Sequence, residues 1–237
     1  MLMLSALVSP AFSAPEVVVS IKPIHSLIAG VMAGVGEPAL IVEGGASPHT
    51  YALRPSDAAR LQRAALIFWV GPIFEGFLVK PLQSLGQQAV VVELDRVPAI
   101  RLLPARSGGT FERDEDEPEG SSPLQQDGHL WLDPLNARAI VREAVARLRA
   151  IDPDHGEIYA ANGARLEARL DRLDAMLRTE LQPVRGLPFV VFHDAYQYAE
   201  RRYGLAAIGS ITVSPEQVPG ARRLHEIHAK ILALKAG

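Results

Sequence analysis

From residue 15 to residue 94 one pattern repeats: a short apolar run, a longer stretch with helical spacing, then another apolar run. The apolar runs at 15–21, 39–42, 66–70 and 89–94 are built mainly from Val, Ile, Leu and Ala and alternate poorly with polar residues. The first of them reads as a strand buried on both faces, and the other three read as further strands. Between them, KPIHSLIAGVMAGVG (22–36), a segment opening at Pro55 and stretch 74–85 predict helices. The first ends in the glycines at 34 and 36, and the second carries Asp57 in its first turn, where an acid suits the helix dipole. The order β-α-β-α-β-α-β predicts a parallel sheet covered by helices on both faces.

The second half resumes the pattern after an interruption. FERDEDEPEGSSPLQQD follows, with six acids within 112–119, and reads as a solvated linker across 107–127. GHLWLDPLNA (128–137) then leads into a helix over 136–150, which Asp152-Pro153 breaks. From 154 to 181, Ile158, Leu166, Leu170, Leu173, Leu177 and Leu181 recur at helical spacing, with Asn162 the one lapse. A helix over that stretch is roughly 40 Å long and can link two lobes. Its charged face, with Arg165, Glu167, Arg169, Asp171, Arg172 and Asp174, is expected to be solvated.

Beyond it, Val190, Val191 and Phe192 end a strand, 195–203 reads as a helix and 205–210 as a second strand. In SITVSPEQVPG (210–220), Ser214, Pro215 and Gln217 predict the start of a last helix running to about residue 234. The expected class is α/β, with two parallel-sheet lobes at 14–152 and 185–237 joined by one long helix over 153–184. With only two strands, the second lobe is expected to be incomplete.

Bulk properties narrow the function. A net charge of −3 over 237 residues, without a basic face, gives no reason to expect nucleic-acid binding. No apolar run approaches the ~18 residues that span a bilayer, so the chain is not expected to be embedded in one. MLMLSALVSPAFSAP is apolar and uncharged, with Ala11 and Ser13 at the small-residue positions of a signal-peptidase cut. Residues 1–13 are therefore expected to be a signal peptide, although its usual positive start is missing. Cysteine is absent, so no disulfide, thiolate ligand or N-terminal cysteine lipid anchor is expected. An exported chain of this kind is expected free in a periplasm, and any metal site must use His, Asp and Glu.

Three histidines stand at polar junctions beside apolar runs. His49 lies in GGASPHTYALRPSD, His129 in GHLWLDP and His193 in FHDAYQ. The C-terminal ends of parallel strands are where open α/β sheets hold ligands. Any one histidine alone reads best as a surface or capping residue, but three at such places fit a metal site with nitrogen ligands. Neutral imidazole suits Zn(II), at ~2.0–2.1 Å. His25, near a helix start, is a weaker candidate to line the cleft, and His155, His225 and His228 read as surface residues. Asp133 and Asp194 are candidates to orient imidazoles, with capping of the adjacent helices as the alternative. Three histidines and a water also describe a catalytic zinc centre. No H-E-x-x-H pairing supports that, and ligands spread over two lobes suit capture and release. An adhesin or metal-stress scaffold is a third possibility.

SPHTYALRPSDAARLQRAALIFWVG, GHLWLDPLNA, FHDAYQYAERRYGL and SITVSPEQVPG resemble, in order, the successive signatures of the zinc-specific solute-binding proteins of ABC uptake systems. These form the ZnuA-type branch of the zinc/manganese-binding family, and the resemblance covers about 15–235. It implies a two-lobed monomer that binds Zn(II) between the lobes and delivers it to a membrane ABC permease. It implies metal ligation by His49, His129 and His193. Manganese-binding relatives typically carry Glu at the last of these positions, so His193 favours zinc over manganese. The chain departs from the pattern at Pro48, where some members have an acid, and in an acidic loop without histidines. In some relatives a fourth ligand comes from an acid in the C-terminal lobe, in a segment expected to be missing from this sequence, so none is assigned.

Overall fold

A computed structural model describes residues 14–106, 111, 126–212 and 220–234. The expected signal peptide at 1–13, nearly all of the acidic linker and the helix start at Ser214 lie outside the described residues. Four short strands form the first sheet: β1 (Val17–Val19), β2 (Ala39–Leu40), β3 (Leu66–Trp69) and β4 (Val90–Glu93). They lie in the order β2-β1-β3-β4, all parallel, with Val18 opposite Ala39 on one side and Ile67 on the other. β1 and β3 are the inner pair and are buried throughout, as expected of non-alternating apolar runs.

Helix α1 (Lys22–Met32) buries Ile24, Ile28, Val31 and Met32, one face at helical spacing. Helix α2 (Pro55–Arg63) starts on a proline, and buried Asp57 accepts from the Arg54 N–H at 3.0 Å and from the Tyr51 hydroxyl at 2.8 Å. The helix expected over 74–85 is shorter. A 3₁₀ turn at Gly76–Leu78 precedes α3 (Val79–Leu85), and the chain at Phe74 and Glu75 turns inward instead. The reason is polar: the Glu75 carboxylate is completely buried and accepts from the Val70 and Gly71 N–H groups at 2.9 and 3.1 Å.

Helices α4 (Pro134–Ile151) and α5 (Gly156–Glu180) pack on each other and on α1. Their approach is close enough that a Cβ on Gly163 would come within 2.5 Å of Val145 Cγ2. At 25 residues α5 is about 37 Å long. Asn162 is no lapse in its pattern. It is buried, and its amide donates to the Val31 and Ala33 carbonyls, both at 2.8 Å, serving carbonyls that the end of α1 leaves unpaired.

The charged face of α5 is exposed, as expected, at Arg165, Arg169, Asp171 and Arg172, but Glu167 and Asp174 are half-buried and paired with neighbouring helices. Arg138 donates to Asp171 at 2.6 Å, Arg142 pairs with Glu167 at 2.6 Å, and Arg202 donates to Asp174 at 2.6 Å. The Arg202 hydrogen bonds hold the Asp174 carboxyl below its ordinary range.

The second sheet has, among the described residues, two parallel strands, β5 (Pro188–His193) and β6 (Ala206–Thr212). Between them runs α6 (Gln197–Tyr203), closed by Gly204 at φ +71°, a conformation that glycine adopts without strain. Helix α7 (Ala221–Leu234) lies against both strands, burying Ile227 and passing the Arg223 guanidinium to the Ser210 carbonyl at 3.1 Å. The main apolar core is built from the first sheet with α1, α4 and α5. Tyr198 of α6 reaches into it, whereas Val191, Tyr203 and Ile227 are buried outside it. Among the described residues no helix is long and apolar enough to cross a membrane.

Candidate metal centre

The three candidate histidines come from separate segments that the two sheets bring together. His49 sits in the loop after β2, where its N–H donates to Ser47 Oγ at 3.2 Å. His193 is the last residue of β5, opposite Thr212. His129 does not follow a strand, as a strand-to-helix reading supposes. It follows the antiparallel bridge between Pro104 and Gln126 and leads into the 3₁₀ turn Leu130–Leu132 before α4.

One nitrogen from each ring lies within 4.8 Å of the others. The Nε2 atoms of His129 and His193 are 3.3 Å apart. Two ligands bonded at ~2.0–2.1 Å in a tetrahedron are separated by about 3.3–3.4 Å, so this pair already has that spacing.

A carboxylate fixes the buried ring. Asp127 Oδ1 accepts from His129 Nδ1 at 2.8 Å and from the His129 N–H at 2.9 Å. With Nδ1 carrying that proton, Nε2 is left with its lone pair facing the other two histidines. Asp127 is the residue that the sequence reading missed. Its signal was the spacing D-G-H, two residues ahead of the histidine.

Neither acid named as a candidate to orient an imidazole does so, and for Asp133 the alternative, helix capping, is what the structure has. Asp133 caps α4 by accepting from the Leu135 N–H at 2.9 Å and pairs with Arg202 at 3.3 Å. Asp194 is held by Arg106, whose Nε donates to it at 3.0 Å. His25 does not join the cluster, since its Nε2 donates to the Pro38 carbonyl at 2.7 Å. His155 is bound to Asp152 at 2.8 Å, and His225 and His228 are exposed on α7.

Aromatic rings wall the cluster on one side. The Phe74 ring stands edge-on to His49 and His129, with centroids 4.9 and 5.0 Å away, and Trp131 lies 5.4 Å from His129. This explains the glycine of D-G-H: a Cβ on Gly128 would lie 2.7 Å from Phe74 Cδ2. Such a wall restricts water and stiffens the ring positions.

Next to Phe74 in the chain is Glu75, to which the Ser20 hydroxyl also donates. Burial pushes the Glu75 carboxyl up from 4.5 to about 7, although its three donors pull it back. The native state thus holds this proton more tightly than the unfolded chain does. Its contribution to stability is present below about 4.5 and is lost as pH rises to about 7, by roughly 3 kcal/mol in all. Glu75→Gln cannot ionise and keeps an acceptor for the two N–H groups. Denaturation at several pH values should therefore show the variant gaining stability relative to the parent between pH 5 and pH 8. Parallel profiles would show that Glu75 is not the source of this dependence.

Comparison with known proteins follows the same direction. Residues 17–236 match the family model described as ZnuA, zinc-uptake complex component A, periplasmic. The chain is 42% identical over 247 residues to the high-affinity zinc uptake system protein ZnuA of Brucella abortus, covering 93% of this chain and 74% of that protein. It is 36% identical to the protein of the same name from Yersinia pestis, covering 93% of this chain and 73% of that one. A crystal structure of a Zn(II)-bound AdcAII mutant variant of Streptococcus pneumoniae is similar with a TM-score of 0.76. That likeness, at 23% identity, covers 94% of this chain and 79% of the other, and speaks for the fold.

Proposed function

The chain belongs to the periplasmic zinc-uptake complex component A family, and from that premise we propose that it captures Zn(II) with His49, His129 and His193 and passes it to an ABC permease. The observation that carries this is the convergence of three imidazole nitrogens within 4.8 Å from three separate segments. An all-imidazole set suits Zn(II), whereas Mn(II) favours carboxylate, carbonyl and water oxygens. Zinc uptake is therefore preferred to manganese uptake for this chain. Ligands drawn from both sheets also suit a protein that closes on its cargo and lets it go.

In this reading 14–152 and 185–237 are the two lobes, 153–184 links them, and the mature protein works as a periplasmic monomer. Relatives named as components of a zinc uptake system favour a binding protein over a zinc enzyme. Calorimetric titration tests the proposal. One equivalent of Zn(II) should bind tightly, and Mn(II) should not displace it. A preference for Mn(II), or no tight equivalent of zinc, would overturn it.

A further inference from the structure

Helix α6 grips both arms of the histidine cluster. Arg106 lies just beyond the Pro104–Gln126 bridge, on the segment paired with the one that leads to Asp127 and His129. Its guanidinium holds two carboxylates of the other half. Nη1 and Nη2 donate to the two oxygens of Glu200 at 2.8 and 2.9 Å, while Nε and Nη2 donate to Asp194. The three side chains are largely withdrawn from water, at 18% exposure for Arg106, 16% for Asp194 and 8% for Glu200. A bidentate pair in such a place is more directional than a surface ion pair. The Phe111 ring lies 4.1 Å from the guanidinium carbon and adds to the hold.

Other bonds from α6 run to the same two segments. The Tyr198 hydroxyl donates to the Asp127 carbonyl at 2.7 Å and accepts from the Leu103 N–H at 3.1 Å. Gln197 donates to the Pro104 carbonyl at 3.1 Å. The arm carrying His193 and the arm carrying His129 are thus fastened to each other without using either imidazole. Asp194 directly follows His193, so a held Asp194 fixes the chain at the end of β5.

We propose that Arg106 is a positioning residue of the zinc site: through Asp194 and Glu200 it sets His193 against His129 before the ion arrives. The proposal rests on the zinc reading above. With the two Nε2 atoms held at tetrahedral spacing, little ordering remains for the ion to impose, which favours affinity. Without Arg106, Asp194 and Glu200 lose their shared countercharge while partly buried, and the end of β5 loses its anchor.

The test uses the full chain with Arg106→Met, Asp194→Asn and both together. Zinc affinity is read by chelator competition, and ligand geometry by the visible spectrum of the Co(II)-loaded protein. Each single variant should lower zinc affinity about 10–100-fold, the usual range for partners that orient ligands. The double variant should be no worse than the weaker-binding single, because the two residues act as one unit. The Co(II) spectrum should change in each, an effect that a merely looser fold would not produce in folded protein. His228→Ala should keep the parental affinity and spectrum. If Arg106→Met fails to fold, Asp194→Asn, which preserves side-chain shape, carries the test. Parental affinity and spectrum in the Asp194 variant would overturn the positioning role, provided that His193→Ala loses affinity. Parental affinity in His193→Ala as well would overturn the three-histidine site itself.

Discussion

Zinc affinity is expected to fall more than ~100-fold when His49, His129 or His193 is replaced singly by alanine, beyond the loss typical of residues that only orient a ligand. Each substitution removes one of the three converging nitrogen donors outright. His155→Ala and His228→Ala should leave affinity unchanged, because the first is engaged with Asp152 and the second is exposed on α7. The three losses should differ in their side effects. His129→Ala also strips Asp127 of its ring partner, and Asp127 is only 9% exposed. A buried carboxylate left short of a donor costs about 1–3 kcal/mol, so this variant should also unfold more easily without metal. Chelator competition and metal-free thermal unfolding check both halves. An affinity loss in His155→Ala equal to that in His193→Ala would reject the ligand assignment.

Acid should release the ion. Imidazole ligates only when neutral, and histidine ordinarily titrates near ~6.5, so protons and Zn(II) compete for the same lone pairs. With three such groups, affinity should drop by at least about a hundredfold between pH 7.5 and pH 5. Folding stability should move the other way over part of that range, because Glu75 favours the native state below about 7. A protein that keeps its fold while losing its zinc separates ligand protonation from unfolding. Titrations at the two pH values, with circular dichroism at each, make the comparison. Equal affinity at pH 5 and pH 7.5 would exclude an all-imidazole ligand set.

Much of the architecture was legible because it follows from local pattern. Four apolar runs without alternation became the four parallel strands of the first sheet, and the period from 154 to 181 became α5. Where the reading failed, a buried polar group had overridden local preference. The helix expected from Phe74 starts late because Glu75 turns inward to meet Ser20, Val70 and Gly71. Asn162 looked like a break in an apolar stripe, yet it serves carbonyls at the end of α1, 129 and 131 residues away in sequence. On α5 the charged face is largely exposed, as read, and only the ion pairs of Glu167 and Asp174 went unforeseen, because their partners Arg138, Arg142 and Arg202 belong to α4 and α6.

By itself, the sequence determined the class of the fold and singled out the three histidines that meet. Strand burial and helix period are properties of neighbouring residues, and the motifs around His49, His129 and His193 are short. Only the tertiary structure decided which carboxylate serves which group. Asp127, Asp133 and Asp194 all stand within four residues of a candidate histidine, and apart from the cap signal at Asp133 that spacing does not separate them. The fold assigns Asp127 to His129, Asp133 to the end of α4 and to Arg202, and Asp194 to Arg106, 88 residues away. The reason is physical. A carboxylate withdrawn from water must find donors wherever the folded chain places them, and that placement depends on how the two sheets meet.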